Sequence, residues 1–297
     1  MVDSSLGKGQ RSEIDGFRDD GRDDRLYAPV VRSARGGVRV NSLVVLPDEV
    51  RDGATAVLVG RRARYAIDTH GVREGESLQV AVMDGLRGEG QVISVTSGEV
   101  TIALTLAESA LDPLPLSLIV GVSRPQTVKK VIQSAVMFGV SSLHFVRSEK
   151  GEKSYLQSRS LDEDQIEEET IKAMEQVWDS RRPEIVVHRA FSHFVKQKLP
   201  VLTEATRSVG GGREVIKLVA HPGGSSLTCA ESPRLRAAAT VIAIGPERGW
   251  SEGEVQTFED LGFQRIGLGE RIVRVELALV FLLGQLALLR SSNSDSP

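Results

Sequence analysis

The rhythm of apolar positions changes twice along the chain. Between residues 26 and 107 they come in short stretches, Val38–Val45, Ala54–Val59, Leu78–Met83, Gln91–Val95 and Val100–Leu106. Turn-forming clusters separate them at Pro47-Asp48, Arg51-Asp52-Gly53, Arg73-Glu74-Gly75-Glu76, Asp84-Gly85 and Ser97-Gly98. Short strands with frequent turns predict a small β-barrel over 25–110. Asp112-Pro113-Leu114-Pro115 then predicts a hinge, because two close prolines resist both helix and central strand.

From Leu116 the pattern alternates between strand and helix. Leu116–Val122 is a continuous apolar run, as in a strand buried on both faces. Val128, Val131, Ile132, Ala135 and Val136 share one face of a helix that Gly139 stops. Leu143–Val146 predicts the next strand. Ile166, Thr170, Ala173, Met174 and Val177 predict a second helix, with Glu167–Glu169 near the positive end of its dipole. Ile185–His188, Val215–Ala220 and Thr240–Ile244 complete five strands. Ser251 and Glu254 form an S-x-x-E box that starts another helix, and a last one from Val275 to Leu289 is apolar nearly all round. The alternation predicts an α/β domain over 116–290, with a parallel sheet and helices on both faces. Residues 1–24 and 291–297 lack apolar periodicity and are expected to be disordered tails.

Composition narrows the class. The chain has 297 residues, 40% of them apolar, enough for two packed domains. Its formal net charge is −3, so any contact with nucleic acid must use local patches. Candidates are Arg61, Arg62 and Arg64, with Arg181 and Arg182. Cys229 is the single cysteine, which excludes an intrachain disulfide and a cysteine zinc site and fits a reducing, cytoplasmic setting. The histidines at 70, 144, 188, 193 and 221 have no ligand spacing, and no metal is expected. No apolar run is long enough to span a bilayer, and the polar N-terminus does not read as a signal peptide.

Three segments of the last third carry the candidate chemistry. Leu218-Val219-Ala220-His221-Pro222-Gly223-Gly224 reads as a strand running into a flexible turn. Ile244-Gly245-Pro246-Glu247-Arg248-Gly249-Trp250-Ser251 is a second strand exit, where Gly245 and Gly249 let a ligand approach the backbone. Leu268-Gly269-Glu270-Arg271-Ile272-Val273-Arg274-Val275-Glu276 is a loop opening onto the last helix. Ligands of open α/β sheets bind beyond the carboxyl ends of strands, where the first two segments lie. Gly210-Gly211-Gly212 precedes a strand instead of following one, which argues against a dinucleotide enzyme.

The last two strings resemble the RsmE family, which methylates N3 of a uridine in small-subunit ribosomal RNA and belongs to the SPOUT superfamily. Ser123-Arg124-Pro125-Gln126-Thr127-Val128-Lys129-Lys130, Phe138-Gly139-Val140 and Ala173-Met174-Glu175-Gln176 extend the resemblance over residues 117–290. It implies a trefoil-knotted sheet, an arrangement that periodicity does not show, and makes the small barrel a PUA-like RNA-binding domain. It also implies S-adenosyl-L-methionine as cofactor, held by Ala220, His221, Pro222, Ile244, Gly245, Pro246, Glu247, Gly249, Leu268, Gly269, Ile272, Val273 and Arg274. Arg274 and Glu276 become the catalytic pair, and Arg124 and Lys129 join the arginine patches as RNA contacts. Ribosomal RNA or the small subunit is the implied partner, and the last helix the implied homodimer interface.

Two departures bear on this. The family's Arg-Thr-Glu-Thr-Ala stands here as Arg274-Val275-Glu276-Leu277-Ala278, without both hydroxyls. The barrel has Tyr65-Ala66-Ile67-Asp68-Thr69-His70-Gly71-Val72-Arg73 where the family has a His-His-Leu stretch. A non-catalytic RNA-binding scaffold, and a methyltransferase acting on another RNA site, therefore remain as alternatives.

Overall fold

A computed structural model describes residues 42–225 and 232–291. The two expected tails, apart from Ser291, the start of the Val38–Val45 strand and Cys229 lie outside the described residues.

The first domain is a six-stranded sheet in the order β1-β4-β5-β6-β3-β2. Its strands are β1 (Leu43–Val45), β2 (Val50–Arg51), β3 (Thr55–Val59), β4 (Ser77–Val82), β5 (Arg87–Val95) and β6 (Glu99–Glu108). β1 pairs parallel with β4, and the other pairs are antiparallel. A short turn, Pro47–Glu49, joins β1 directly to β2, so the sheet curls and its two edges approach. Leu43, Val45, Leu58, Val80, Val92, Val100 and Ile102 fill the inside.

One helix of this domain was not legible in the sequence. α1 (Gly60–Asp68) occupies the stretch between β3 and β4, burying Ala63 and Ala66. The Arg-rich stretch hides it, because only two small residues per two turns face inward.

The second domain has a six-stranded, fully parallel sheet in the order β12-β10-β11-β7-β8-β9. Its strands are β7 (Leu114–Gly121), β8 (Val140–Val146), β9 (Glu184–His188), β10 (Val215–Ser225), β11 (Ala239–Ile244) and β12 (Gln264–Ile266). The expected five strands are all present, and the short β12 is additional. The expected proline hinge is a strand start instead: β7 begins at Leu114, and its register against β8 shifts between Leu114 and Ser117. Pro115 is tolerated there because an irregular strand start needs no donor from it.

Side chains alternate across this sheet. Leu118, Val120, Leu218, Ile242 and Ile244 face a core with α2 (Pro125–Met137), α3 (Glu163–Val177), α6 (Ser232–Ala237) and α8 (Val275–Ser291). Ile119, Val219, Val241 and Ala243 face the opposite core, with the short helix α4 (Phe191–His193), α5 (Leu199–Val209) and α7 (Glu252–Asp260). Gly210-Gly211-Gly212 is the turn that ends α5, not a phosphate loop.

Glu175 of α3 joins the domains. Its buried carboxylate accepts from the Val44 amide at 3.1 Å and the Tyr65 hydroxyl at 2.7 Å, and lies 3.1 Å from His70 Nε2. The Ser42 amide donates to its carbonyl at 2.8 Å. Burial, with Glu175 next in weight, pushes the Tyr65 hydroxyl well above its ordinary pKa.

Candidate active site

Three loops leave the carboxyl edge of the parallel sheet beside one another. The first differs from the expected flexible turn. β10 continues to Ser225 as a bulge: both Ala220 and Ser225 align with Ile266 of β12, and residues 221–224 loop out between them. The Gly267 amide closes the bulge by donating to the Ser225 carbonyl at 2.9 Å. The backbones cross so closely that a Cβ on Gly224 would lie 2.4 Å from the Ile266 carbonyl carbon, and one on Gly267 would lie 2.3 Å from the Gly224 oxygen. Neither position has room for a side chain.

His221 stands at the mouth of this bulge. Its Nδ1 lies 2.8 Å from the Pro222 carbonyl and its Nε2 lies 3.4 Å from Glu252. Two partners already orient the ring.

The second loop follows β11 at Ile244. Gly245 serves the loop itself: a Cβ there would lie 2.6 Å from the Trp250 amide nitrogen and 2.7 Å from the Gly249 carbonyl carbon. The capping box forms as the sequence predicts, with Glu254 N–H donating to Ser251 Oγ at 3.2 Å and Ser251 N–H donating to Glu254 Oε2 at 2.8 Å. Glu254 also accepts from Ser148 and the Glu149 amide, which ties the exit of β8 to α7. Glu247 turns back toward α2, accepting from the Arg124 amide at 2.9 Å and Thr127 Oγ1 at 3.2 Å. Its carboxylate caps that helix start, a role the sequence did not suggest.

The third loop runs from Gly267 to Arg274. Its amides from Leu268 through Val273, like those of Glu247 and Arg248, donate to nothing among the described residues. Unpaired amides beside the half-buried Leu268 and the buried Ile244 offer both the donors and the apolar contact that a purine nucleoside requires. The residues present therefore fit the implied cofactor. Arg274 is 75% exposed and lies 3.7 Å from Glu276, whose carboxylate is 13% exposed and also faces Lys130 at 3.5 Å. Val275 is buried in the apolar core, while Leu277 is exposed on the outer side of α8. The two lost hydroxyls thus occupy different surroundings.

The expected RNA contacts fare differently from one another. Arg62 is held inside the first domain by Glu49 at 3.0 Å and by the Val44 carbonyl. Lys129 pairs with the buried Glu169 at 3.0 Å. Burial alone would raise the Glu169 pKa, but hydrogen bonds from Lys129 and Gln133, with Lys172 nearby, hold it below the usual value. Arg182 pairs with Asp84 at 2.7 Å. Arg61, Arg64, Arg124 and Arg181 are exposed, and among the described residues Arg61 has only a 3.9 Å approach to Glu168.

A cleft of about 650 Å³ opens elsewhere, between Met83-Asp84, α3 and Arg182–Ile185. Asp84, Glu163, Asp164, Glu167 and Glu184 line it, which gives it the wrong charge for a phosphate backbone. Among the described residues no cluster of His, Cys, Asp and Glu has the geometry of a metal site, and no helix is long and apolar enough to cross a membrane.

Comparison with known proteins decides the family. Residues 110–287 match the model of the RNA methyltransferase domain. The chain belongs to the RNA methyltransferase family. Membership makes it an RNA methyltransferase, and the likeness to RsmE read from its motifs holds. It is 29% identical to the ribosomal RNA small subunit methyltransferase E of Treponema pallidum, over 80% of this chain and 87% of that one. To the protein of the same name in Synechocystis it is 24% identical, over 88% of this chain and 82% of the other. The fold matches that of the Neisseria gonorrhoeae small subunit methyltransferase E, solved with S-adenosyl methionine, with a TM-score of 0.67 at 21% identity over 84% of this chain and 98% of that one. A Legionella pneumophila methyltransferase gives the same TM-score at 22% identity, over 82% of this chain and 96% of the other.

Proposed function

We propose that the protein transfers the methyl group of S-adenosylmethionine to N3 of a uridine in small-subunit ribosomal RNA. The observation that carries this is the convergence of the 221–225, 245–251 and 267–274 loops, crossing at Gly224 and Gly267, in a chain of this family. The crossing supports a trefoil knot, since one loop must pass against the other before the last helix leaves. The first domain, tied to α3 through Glu175, serves as the PUA-like RNA-binding module.

The cofactor supplies a methyl group already activated by its sulfonium. Backbone amides of Leu268–Val273 and of Glu247 and Arg248 hold the nucleoside, with Ala220, Ile244 and Leu268 as its apolar surround. Uridine N3 carries a proton that must leave before or as the N–C bond forms. Arg274, exposed at the loop's end, stabilises the negative charge that develops on the uracil ring. Glu276, between Lys130 and Arg274, orients that guanidinium, and the N3 proton passes to water at the exposed end of the loop, leaving methylated uridine, S-adenosylhomocysteine and a solvated proton. The remaining task is to place N3 in line with the methyl carbon.

The outer face of α8 supports a homodimer. Leu277, Val280, Phe281 and Leu288 are all at least 41% exposed and fall on one helical stripe. The Leu277 that replaces a family threonine widens that stripe.

Calorimetric titration with S-adenosylmethionine tests the pocket. The wild-type chain is expected to bind saturably, and Gly245→Val to lose binding, since its side chain forces the Gly249-Trp250 backbone aside. A folded wild-type dimer that binds neither S-adenosylmethionine nor S-adenosylhomocysteine contradicts the proposal and favours an RNA-binding scaffold.

A further inference from the structure

Four neighbouring strands of the parallel sheet each lead out to an arginine. β11, β7, β8 and β9 lie in that order, and beyond their carboxyl ends stand Arg248, Arg124, Arg147 and Arg189. The exits are stitched side by side: the Val122 amide donates to the Val146 carbonyl at 2.9 Å, and the Arg147 amide to the His188 carbonyl at 3.0 Å. With strands about 4.8 Å apart, four adjacent exits span about 14 Å.

All four side chains are exposed. Those of Arg124, Arg147 and Arg248 have no partner among the described residues, and Arg189 reaches only the Leu156 carbonyl at 3.4 Å. Elsewhere Arg62, Lys129, Arg182, Arg234 and Arg265 each face a carboxylate within 3.0 Å. The nearby acids do not cancel the edge. Glu247 is directed at the start of α2 and Glu254 at the amides of Glu149 and Ser251, leaving the exposed Glu149 and Glu152 against the similarly exposed Lys150 and Lys153.

We propose that this arginine edge is the track for the RNA backbone, gripping phosphates of a single-stranded segment on either side of the target base. Guanidinium groups match phosphate oxygens in geometry as well as charge. A base presented to the cofactor must leave its stack, so its flanking backbone needs holding where the base enters. The 245–251 loop opens on this edge, whereas Arg61 and Arg181 lie away from the strand exits. The inference rests on the reading of the chain as an RNA methyltransferase and adds where its substrate runs.

The test uses the full chain and an unmodified transcript of small-subunit ribosomal RNA, with affinity followed by fluorescence anisotropy from about 50 to 200 mM salt. The double variant R147Q/R189Q is expected to lower the slope of log affinity against log salt by about 1.4, at about 0.7 per single-strand phosphate contact. Arg124→Gln alone is expected to lower it by about 0.7. Both variants should bind S-adenosylmethionine as the wild type does, and the control R61Q/R181Q should keep the wild-type slope. An unchanged slope in the edge variants, a slope lost only in the control, or a wild type that binds no RNA overturns the track. Failure of the wild type to bind S-adenosylmethionine strikes instead at the methyltransferase reading, so the two failures are distinguishable.

Discussion

The hydroxyl of Tyr65 donates to the carboxylate of Glu175 at 2.7 Å, across 110 positions of sequence. That carboxylate is the meeting point of the two domains, because Val44 and His70 of the first domain converge on it as well. Glu175→Ala leaves a buried amide, a hydroxyl and a ring nitrogen without an acceptor, each worth about 1–3 kcal/mol when unsatisfied. The expected result is a loss of about 3 kcal/mol or more in urea unfolding, with S-adenosylmethionine still bound at low denaturant. An unchanged midpoint shows that the junction does not depend on this residue.

Acid should weaken the fold through a pair of buried histidines. His144 Nδ1 and His188 Nε2 lie 2.9 Å apart on adjacent strands. Burial, and then the neighbouring His188, lower His144 to about 3; burial, with Lys198 and His193, lowers His188 to about 4. Both stay neutral in the fold, whereas in the unfolded chain they protonate below about 6.5. Unfolding therefore takes up protons below that pH, and stability falls as pH drops from about 6.5 toward 4. For His144 the slope approaches about 1.4 kcal/mol per pH unit. His144→Leu is expected to flatten the acid side of a stability–pH curve, and an identical curve removes the pair from the explanation.

Trp250 offers a check on the loop beside the cofactor. Its ring is fully buried against Phe191 and Phe258, yet its indole N–H has no partner among the described residues. Trp250→Phe relieves an unsatisfied donor while losing some packing, two effects of about 1–3 kcal/mol that oppose each other. Thermal melts should place the variant within about 1 kcal/mol of wild type. A much larger loss would mean that the N–H has a partner in solution.

The α8 stripe makes a direct statement about assembly. Charge placed at Leu277 and Phe281, as L277E/F281E, is expected to convert a dimer to a monomer in sedimentation velocity while leaving the helix content unchanged. A wild-type monomer, or a variant that stays dimeric, places the interface elsewhere.

Much of the fold was legible because periodicity reports burial. The continuous apolar runs of β7 and β11 mark strands covered on both faces, and Ser251 with Glu254 marks a helix start. The helices α1, α4, α5 and α6 and the strands β2 and β12 were missed: α1 buries only two alanines, and Gln264-Arg265-Ile266 is too short for any period to show. The candidate loops were found through family motifs, yet their internal logic was not. Gly224 and Gly267 are required by a crossing of two backbones far apart in sequence, and Glu247 is bound to the start of α2. Local patterns also cannot show which cations are spent on ion pairs. Arg62 and Lys129 looked free in the sequence and are not, whereas Arg147 and Arg189 drew no notice and face no carboxylate among the described residues.

The most direct measurement is methyl transfer itself. Small-subunit ribosomal RNA lacking base methylation would be incubated with the protein and isotopically labelled S-adenosylmethionine, digested to nucleosides and analysed by mass spectrometry. Label is expected in N3-methyluridine, at no more than one methyl group per RNA, with Arg274→Ala slower by on the order of 100-fold. Label in another nucleoside, or none with a wild type that binds the cofactor, would contradict the proposed activity.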